Sequence, residues 1–174
     1  MSEKRPVLYL MLGYPGAGKT TVAKIIHSLT GAKHIWADQE RQRMFSEPKF
    51  GEPESTELYD ILNREAEEFL ASGLSVIYDT NFSYRRDRNK LTAIAATAGA
   101  KTLIVWVQAP LDIAKSRATE DETGSQHTRV WGNMSTHDFD RLALVMEEPN
   151  SDEAYISLDG TKINEEYIRQ TLKL

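Results

Sequence analysis

Val7 to Leu12 is an apolar run of strand length that leads directly into Gly13-Tyr14-Pro15-Gly16-Ala17-Gly18-Lys19-Thr20. Beyond it, Val22, Ile25, Ile26 and Leu29 recur at helical spacing. Strand, glycine-rich turn and helix in that order leave few folds open. Gly16 and Gly18 let the backbone curl so that successive N–H groups point inward, forming a concave nest for anionic oxygens where no side chain would fit. A helix beginning at about Lys19 adds its positive end, Lys19 can reach β- and γ-phosphates, and Thr20 offers a hydroxyl to Mg²⁺.

This is the Walker A pattern. Two glycines, a lysine and a Ser/Thr at these offsets arise by chance in on the order of one window in 10⁴ to 10⁵, and here the flanking strand and helix are also in place. The expected cradle for a nucleoside triphosphate is Gly13, Gly16, Ala17, Gly18, Lys19, Thr20 and Thr21.

The rest of the composition narrows the setting. At 174 residues and 40% hydrophobic content, one well-buried core and a single domain over 1–174 are expected. The net charge of −5 supplies no global basic field for gripping nucleic acid, so any such contact must be local. Cysteine is absent, which removes disulfides and thiolate metal sites and fits a reducing compartment; a cytoplasmic location is the expectation. The N-terminal apolar run is too short for a membrane span, so no membrane partner is expected.

Along the chain, strands are expected at 34–36, 74–78, 103–107 and 155–158. Helices are expected at 39–45, 54–72, 83–98, 111–119, 136–146 and 164–172. The 54–72 helix is the most clearly patterned, with Leu58, Ile61, Leu62, Ala66, Phe69 and Leu70 on one stripe and Gly73 ending it. This βα rhythm predicts an α/β domain, a parallel sheet with helices on both faces. Ligands then sit at the carboxyl ends of the strands, where Gly13, Asp38, Asp79 and Gln108 fall.

Asp79 ends an apolar strand, the position for a Walker B carboxylate that joins Thr20 in holding Mg²⁺. Asp38 ends another, with Arg41 one helical turn on. A carboxylate there could deprotonate an attacking hydroxyl while the guanidinium holds an anionic acceptor. Arg117 and Arg129 are candidates to bridge a transferring phosphoryl group. Arg85, Arg86 and Arg88 form a basic cluster that reads more simply as an exposed helix start. His27, His34, His127 and His137 lack metal-ligand spacing and read as solvated or packed; Trp131 and His127 have no assignment.

The chain resembles the small P-loop kinases of the polynucleotide kinase type, an AAA_33-type ATP-binding family in the wider class of gluconate, shikimate and zeta-toxin-like kinases. The resemblance rests on Gly13 to Thr20, on Asp38-Gln39-Glu40-Arg41 as an Asp-x-x-Arg element, and on Val76-Ile77-Tyr78-Asp79-Thr80-Asn81 as a strand ending in Asp-x-Asn. It implies a three-layer P-loop NTPase fold, with a five-stranded parallel sheet and a helical lid at roughly 117–135. It also implies Asp38 as general base, Arg41 as ligand of the acceptor anion, and Lys19 with a lid arginine, by position Arg117, as clamps on the transition state. Glu120, Asp121 and Glu122 stand where a basic lid would sit, which argues against a long nucleic-acid acceptor.

The expected function is therefore an ATP- and Mg²⁺-dependent kinase acting on a hydroxyl of an anionic small molecule or, less in keeping with the charge, a nucleic-acid 5′ end. The alternative is a regulatory ATPase driven by a partner. The Asn89-Lys90-Leu91-Thr92 and Asp121-Glu122-Thr123-Gly124 stretches lack the context that guanine-specific switching needs. Acceptor identity is not encoded in the spacing of any residues.

Overall fold

A computed structural model describes residues 5–120 and 130–174. Its five strands are β1 (Val7–Leu12), β2 (Lys33–Trp36), β3 (Val76–Asp79), β4 (Lys101–Gln108) and β5 (Tyr155–Asp159). The helices between and after them are α1 (Lys19–Thr30), α2 (Ala37–Met44), α3 (Glu52–Ala71), α4 (Arg85–Thr97), α5 (Leu111–Thr119), α6 (Thr136–Leu144) and α7 (Glu165–Leu172). All strand pairs are parallel, in the order β2-β3-β1-β4-β5.

Alternation along β1 explains the layering. Leu8, Leu10 and Leu12 face one side and pack with Leu58, Leu62 and Ala66 of α3 and with Leu91 and Ala95 of α4. Tyr9 and Met11 face the other, against Val22, Ala23 and Ile26 of α1 and Ile168 of α7. A strand buried on both faces reads as a continuous apolar run, which is why Val7 to Leu12 shows no polar alternation in sequence. A smaller cluster of Ala114, Ala118 and Phe139 joins α5 to α6.

From β1 the chain crosses to β2 at one edge, and from β3 it crosses back over β1 to β4. The carboxyl ends of β1 and β3 therefore flank the point where the direction of winding reverses, and a crevice opens there. Differences from the sequence reading are confined to element ends. β4 runs two residues further at its start than the apolar core suggests, since Lys101 pairs with Val7 at the sheet margin. Asp38 lies inside the first turn of α2 instead of ahead of the helix.

Candidate functional site

The loop after β1 is shaped by contacts that forbid side chains. Gly13, Gly16 and Gly18 hold φ of +151°, +80° and +108°. A Cβ on Gly16 would stand 2.2 Å from the carbonyl oxygen of Ala114, and one on Gly13 2.3 Å from that of Val107. The backbone thus lies directly on α5 and the end of β4. Gly18 caps α1 with no side-chain hydrogen bond, so no side chain closes the N-terminal N–H groups of the helix. Lys19 Nζ donates to the carbonyl oxygens of Gly13 and Tyr14, each at 2.9 Å, and so spans the mouth of the nest.

Two carboxylates face that ammonium. Burial lowers the Lys19 pKa to about 8, against the opposing pull of Asp79 and Asp38. Asp79 is buried and accepts a hydrogen bond from His34 Nε2 at 3.0 Å, across the β2–β3 pair. Asp38, in the first turn of α2, is exposed to solvent. Desolvation pushes its carboxyl up from the ordinary value, Asp79 adds to this, and Lys19, Arg41 and the nearby Trp131 side chain pull the other way. Lys19, Asp38 and Asp79 are thus gathered into one electrostatic unit on the β2–β3 side of the loop.

Arg41 is placed otherwise than the sequence suggests. It is buried, ion-paired with Glu54, 3.4 Å from Ser55 Oγ, and 4.9 Å beneath the Phe50 ring, so its charge is engaged within the protein. Glu54 also accepts the N–H groups of Lys49 at 2.7 Å and Phe50 at 3.2 Å. Those bonds, the Lys49 N–H foremost, hold Glu54 below the usual carboxylate range.

Arg117 lies on the opposite flank, where its Nη1 donates to the Gly160 carbonyl oxygen at 2.9 Å. Gly160 in turn closes onto the loop, since a Cβ there would meet the Ala17 carbonyl oxygen at 2.2 Å. An open cleft lined by Gln108, Pro110, Leu158, Asp159 and Thr161 lies beside it at the ends of β4 and β5. Arg129 and His127 lie outside the described residues, as do Asp121, Glu122 and much of the 117–135 segment expected as a lid. The basic cluster dissolves into structural roles: Arg88 is fully buried on Glu153 and the carbonyls of Phe82 and Glu147, and Arg85 pairs with Asp152.

The sequence reading did not assign Phe50, Glu54, His34 or Trp131. Phe50 and Trp131 meet edge to face at 5.5 Å, and no periodicity links such distant loop residues. Met134 N–H donates to the Ala118 carbonyl oxygen at 2.9 Å, so the stretch from Trp131 to Met134 runs from the Asp38 side to α5.

The donor set fits a hydrated Mg²⁺ held together with a phosphate chain. Among the described residues no group of three His, Cys, Asp or Glu could cage a metal alone, and Mg²⁺ characteristically takes one or two protein ligands plus substrate phosphates. Asn81 Oδ1, two residues beyond Asp79, is buried with no hydrogen-bond partner, as a site awaiting a donor such as bound water would leave it.

A central glycine nest between the ends of β1 and α1, with a strand-end aspartate across the crevice, defines a P-loop NTPase fold. The chain belongs to the AAA_33 family (AAA domain), whose model matches residues 8–137. No curated protein sequence matches it. Among solved structures it is similar to a sugar kinase from Janibacter sp. HTCC2649, 19% identical over 98% of this chain and 94% of that one, TM-score 0.68. It is also similar to the Mycobacterium tuberculosis APS kinase CysC in complex with AMPPNP and APS, 18% identical over 97% and 96%, TM-score 0.69. A third is Chaetomium thermophilum Kti12 in complex with ADP-AlF3, 17% identical over 97% and 96%, TM-score 0.71. At these identities the likeness is one of fold. No described helix is long and apolar enough to cross a membrane.

Proposed function

We propose that this protein is an ATP-dependent kinase that moves the γ-phosphoryl group to an acceptor hydroxyl, with Asp38 as general base. The observation that carries the reading is the convergence of Lys19, Asp38 and Asp79 at one end of the glycine nest. A site that only binds nucleotide has no use for a second carboxylate beside the lysine that meets the γ-phosphate.

In this reading the triphosphate lies in the nest of Gly13, Gly16, Ala17 and Gly18, its γ end at Lys19. The nucleoside trails over the flank of Arg117, Gly160 and Thr161. Thr20 and Asp79 would hold Mg²⁺, which would neutralise charge on the phosphate oxygens, and His34 fixes the Asp79 carboxylate. The acceptor oxygen forms a bond to the γ-phosphorus as the bond to the β-bridging oxygen breaks. The hydroxyl proton passes to Asp38, and ADP departs. Lys19 meets the charge that accumulates on the transferring group, and Arg117, held on the Gly160 carbonyl oxygen beside the loop, is the candidate for a second positive charge there. Arg41 acts from behind, ordering the 49–54 turn through Glu54. Residues 1–174 then act as one catalytic domain, working where ATP and Mg²⁺ are plentiful, as in the cytoplasm.

Labelled γ-phosphoryl transfer from ATP with Mg²⁺ tests this, offering 5′-hydroxyl oligonucleotides beside a metabolite extract and using Lys19→Ala as the blank. Label in a metabolite or an oligonucleotide supports the kinase and names its acceptor class. Confirmed ATP binding with no labelled acceptor would instead favour an ATPase driven by a partner.

A further inference from the structure

Near the first turn of α2 two exposed aromatic rings meet. Phe50 is 54% exposed and Trp131 37%, and their rings meet at 86° with centroids 5.5 Å apart. Phe50 holds φ of +56°, a left-handed conformation uncommon for a bulky residue and held here by the two N–H bonds to Glu54. An exposed ring kept in an unfavourable backbone conformation, with a buried ion pair beneath it, is supported from below to present its outer face. Arg41, beneath Phe50, lies one helical turn from Asp38 on α2, and the Trp131 side chain lies near enough to Asp38 to draw its proton affinity down. The guanidinium that could have gripped an anion is closed off by Glu54 and roofed by Phe50.

We propose that the phosphoryl acceptor carries a planar aromatic or heteroaromatic ring that packs against the perpendicular Phe50 and Trp131 rings, face to one and edge to the other, and brings its hydroxyl to Asp38. This rests on the kinase reading and adds the acceptor's chemical class. Stacking on aromatic side chains supplies binding without a charge. Arg41 then serves the acceptor indirectly, as the support under Phe50.

The test is the same labelled transfer with a metabolite extract, followed by ultraviolet absorption of each purified labelled product and kinetics with the acceptor so found. The expected product contains a ring. Phe50→Leu raises the acceptor KM about fivefold or more, leaves kcat and the KM for ATP within about twofold, and Phe50→Tyr restores binding. A labelled product without a ring, or an acceptor KM that ignores Phe50→Leu, overturns the proposal and leaves the kinase standing. If nothing takes label, the kinase reading fails and binding alone judges the ring site. Calorimetric titration of uridine and phenyl β-glucoside against ribose and methyl β-glucoside then decides. Binding confined to the ring-bearing compounds and lost in Trp131→Leu retains the site; equal behaviour of the two sets rejects it.

Discussion

At the scale of single residues, the site is a balance of displaced proton affinities. Transfer needs Asp38 ionised and Lys19 charged. The Asp38 carboxyl titrates above its ordinary value and Lys19 at about 8, so kcat/KM for ATP should form a bell. Its acid limb rises above the usual aspartate range, and its alkaline limb falls near the Lys19 value of about 8; a flat profile across that limb would show that Lys19 does not titrate there. A stability consequence follows from the same shift. The folded protein holds the Asp38 proton more tightly than the unfolded chain does, so the residue's contribution is most favourable below its unfolded pKa and is lost as pH rises through the folded one. Asp38→Asn should accordingly raise Tm at neutral pH, with the gain vanishing near pH ~4. That Lys19 and Asp79 lie at the carboxyl end of the sheet was legible in sequence because motif and strand end place them. The engagement of Arg41 was not, because its partner Glu54 belongs to the next helix and answers to no spacing rule.

At the scale of elements, glycines mark where backbones touch. Gly160→Ala would set a methyl 2.2 Å from the Ala17 carbonyl oxygen, displacing the turn after β5 from the nest. We expect a loss of about 1–3 kcal/mol in denaturant unfolding together with weaker ATP binding. Gly99→Ala is the control: at φ +72° with nothing within 4 Å of its Cβ, it should cost about 1 kcal/mol and leave ATP affinity untouched. Equal ATP affinity in both variants would remove Gly160 from the account of the site. Helix and strand order was readable from periodicity because each element buries one stripe or two faces. Ends were less so: Asp38 reads as a strand-end residue, yet the helical turn of α2 already includes it. Phe50 stands in a loop whose conformation depends on the Glu54 carboxylate, a tertiary contact with no local signature.

At the scale of the whole molecule, parallel winding on either side of β1 sets the crevice, and a few long-range contacts hold its walls. Arg88 is fully buried on α4 and paired with Glu153 at 2.8 Å, tying that helix to the segment before β5. Removing one partner strands a buried charge, so Glu153→Gln should cost about 3–5 kcal/mol, seen as a lowered denaturant midpoint. A change within experimental error would show that the segment is held by other means. The topology was legible because βα alternation with short connections admits few windings. The meeting of Phe50 and Trp131 was not, since it depends on how segments far apart in the chain come together. The central claim, that Asp38 is the base of a phosphoryl transfer, is met most directly by one pair of numbers for Asp38→Asn: its ATP dissociation constant and its transfer rate to the acceptor found with wild type. ATP affinity is expected within a few-fold of wild type, with transfer lower by about 10²–10⁴. Transfer at the wild-type rate, or loss of ATP binding as the cause of its loss, would contradict it.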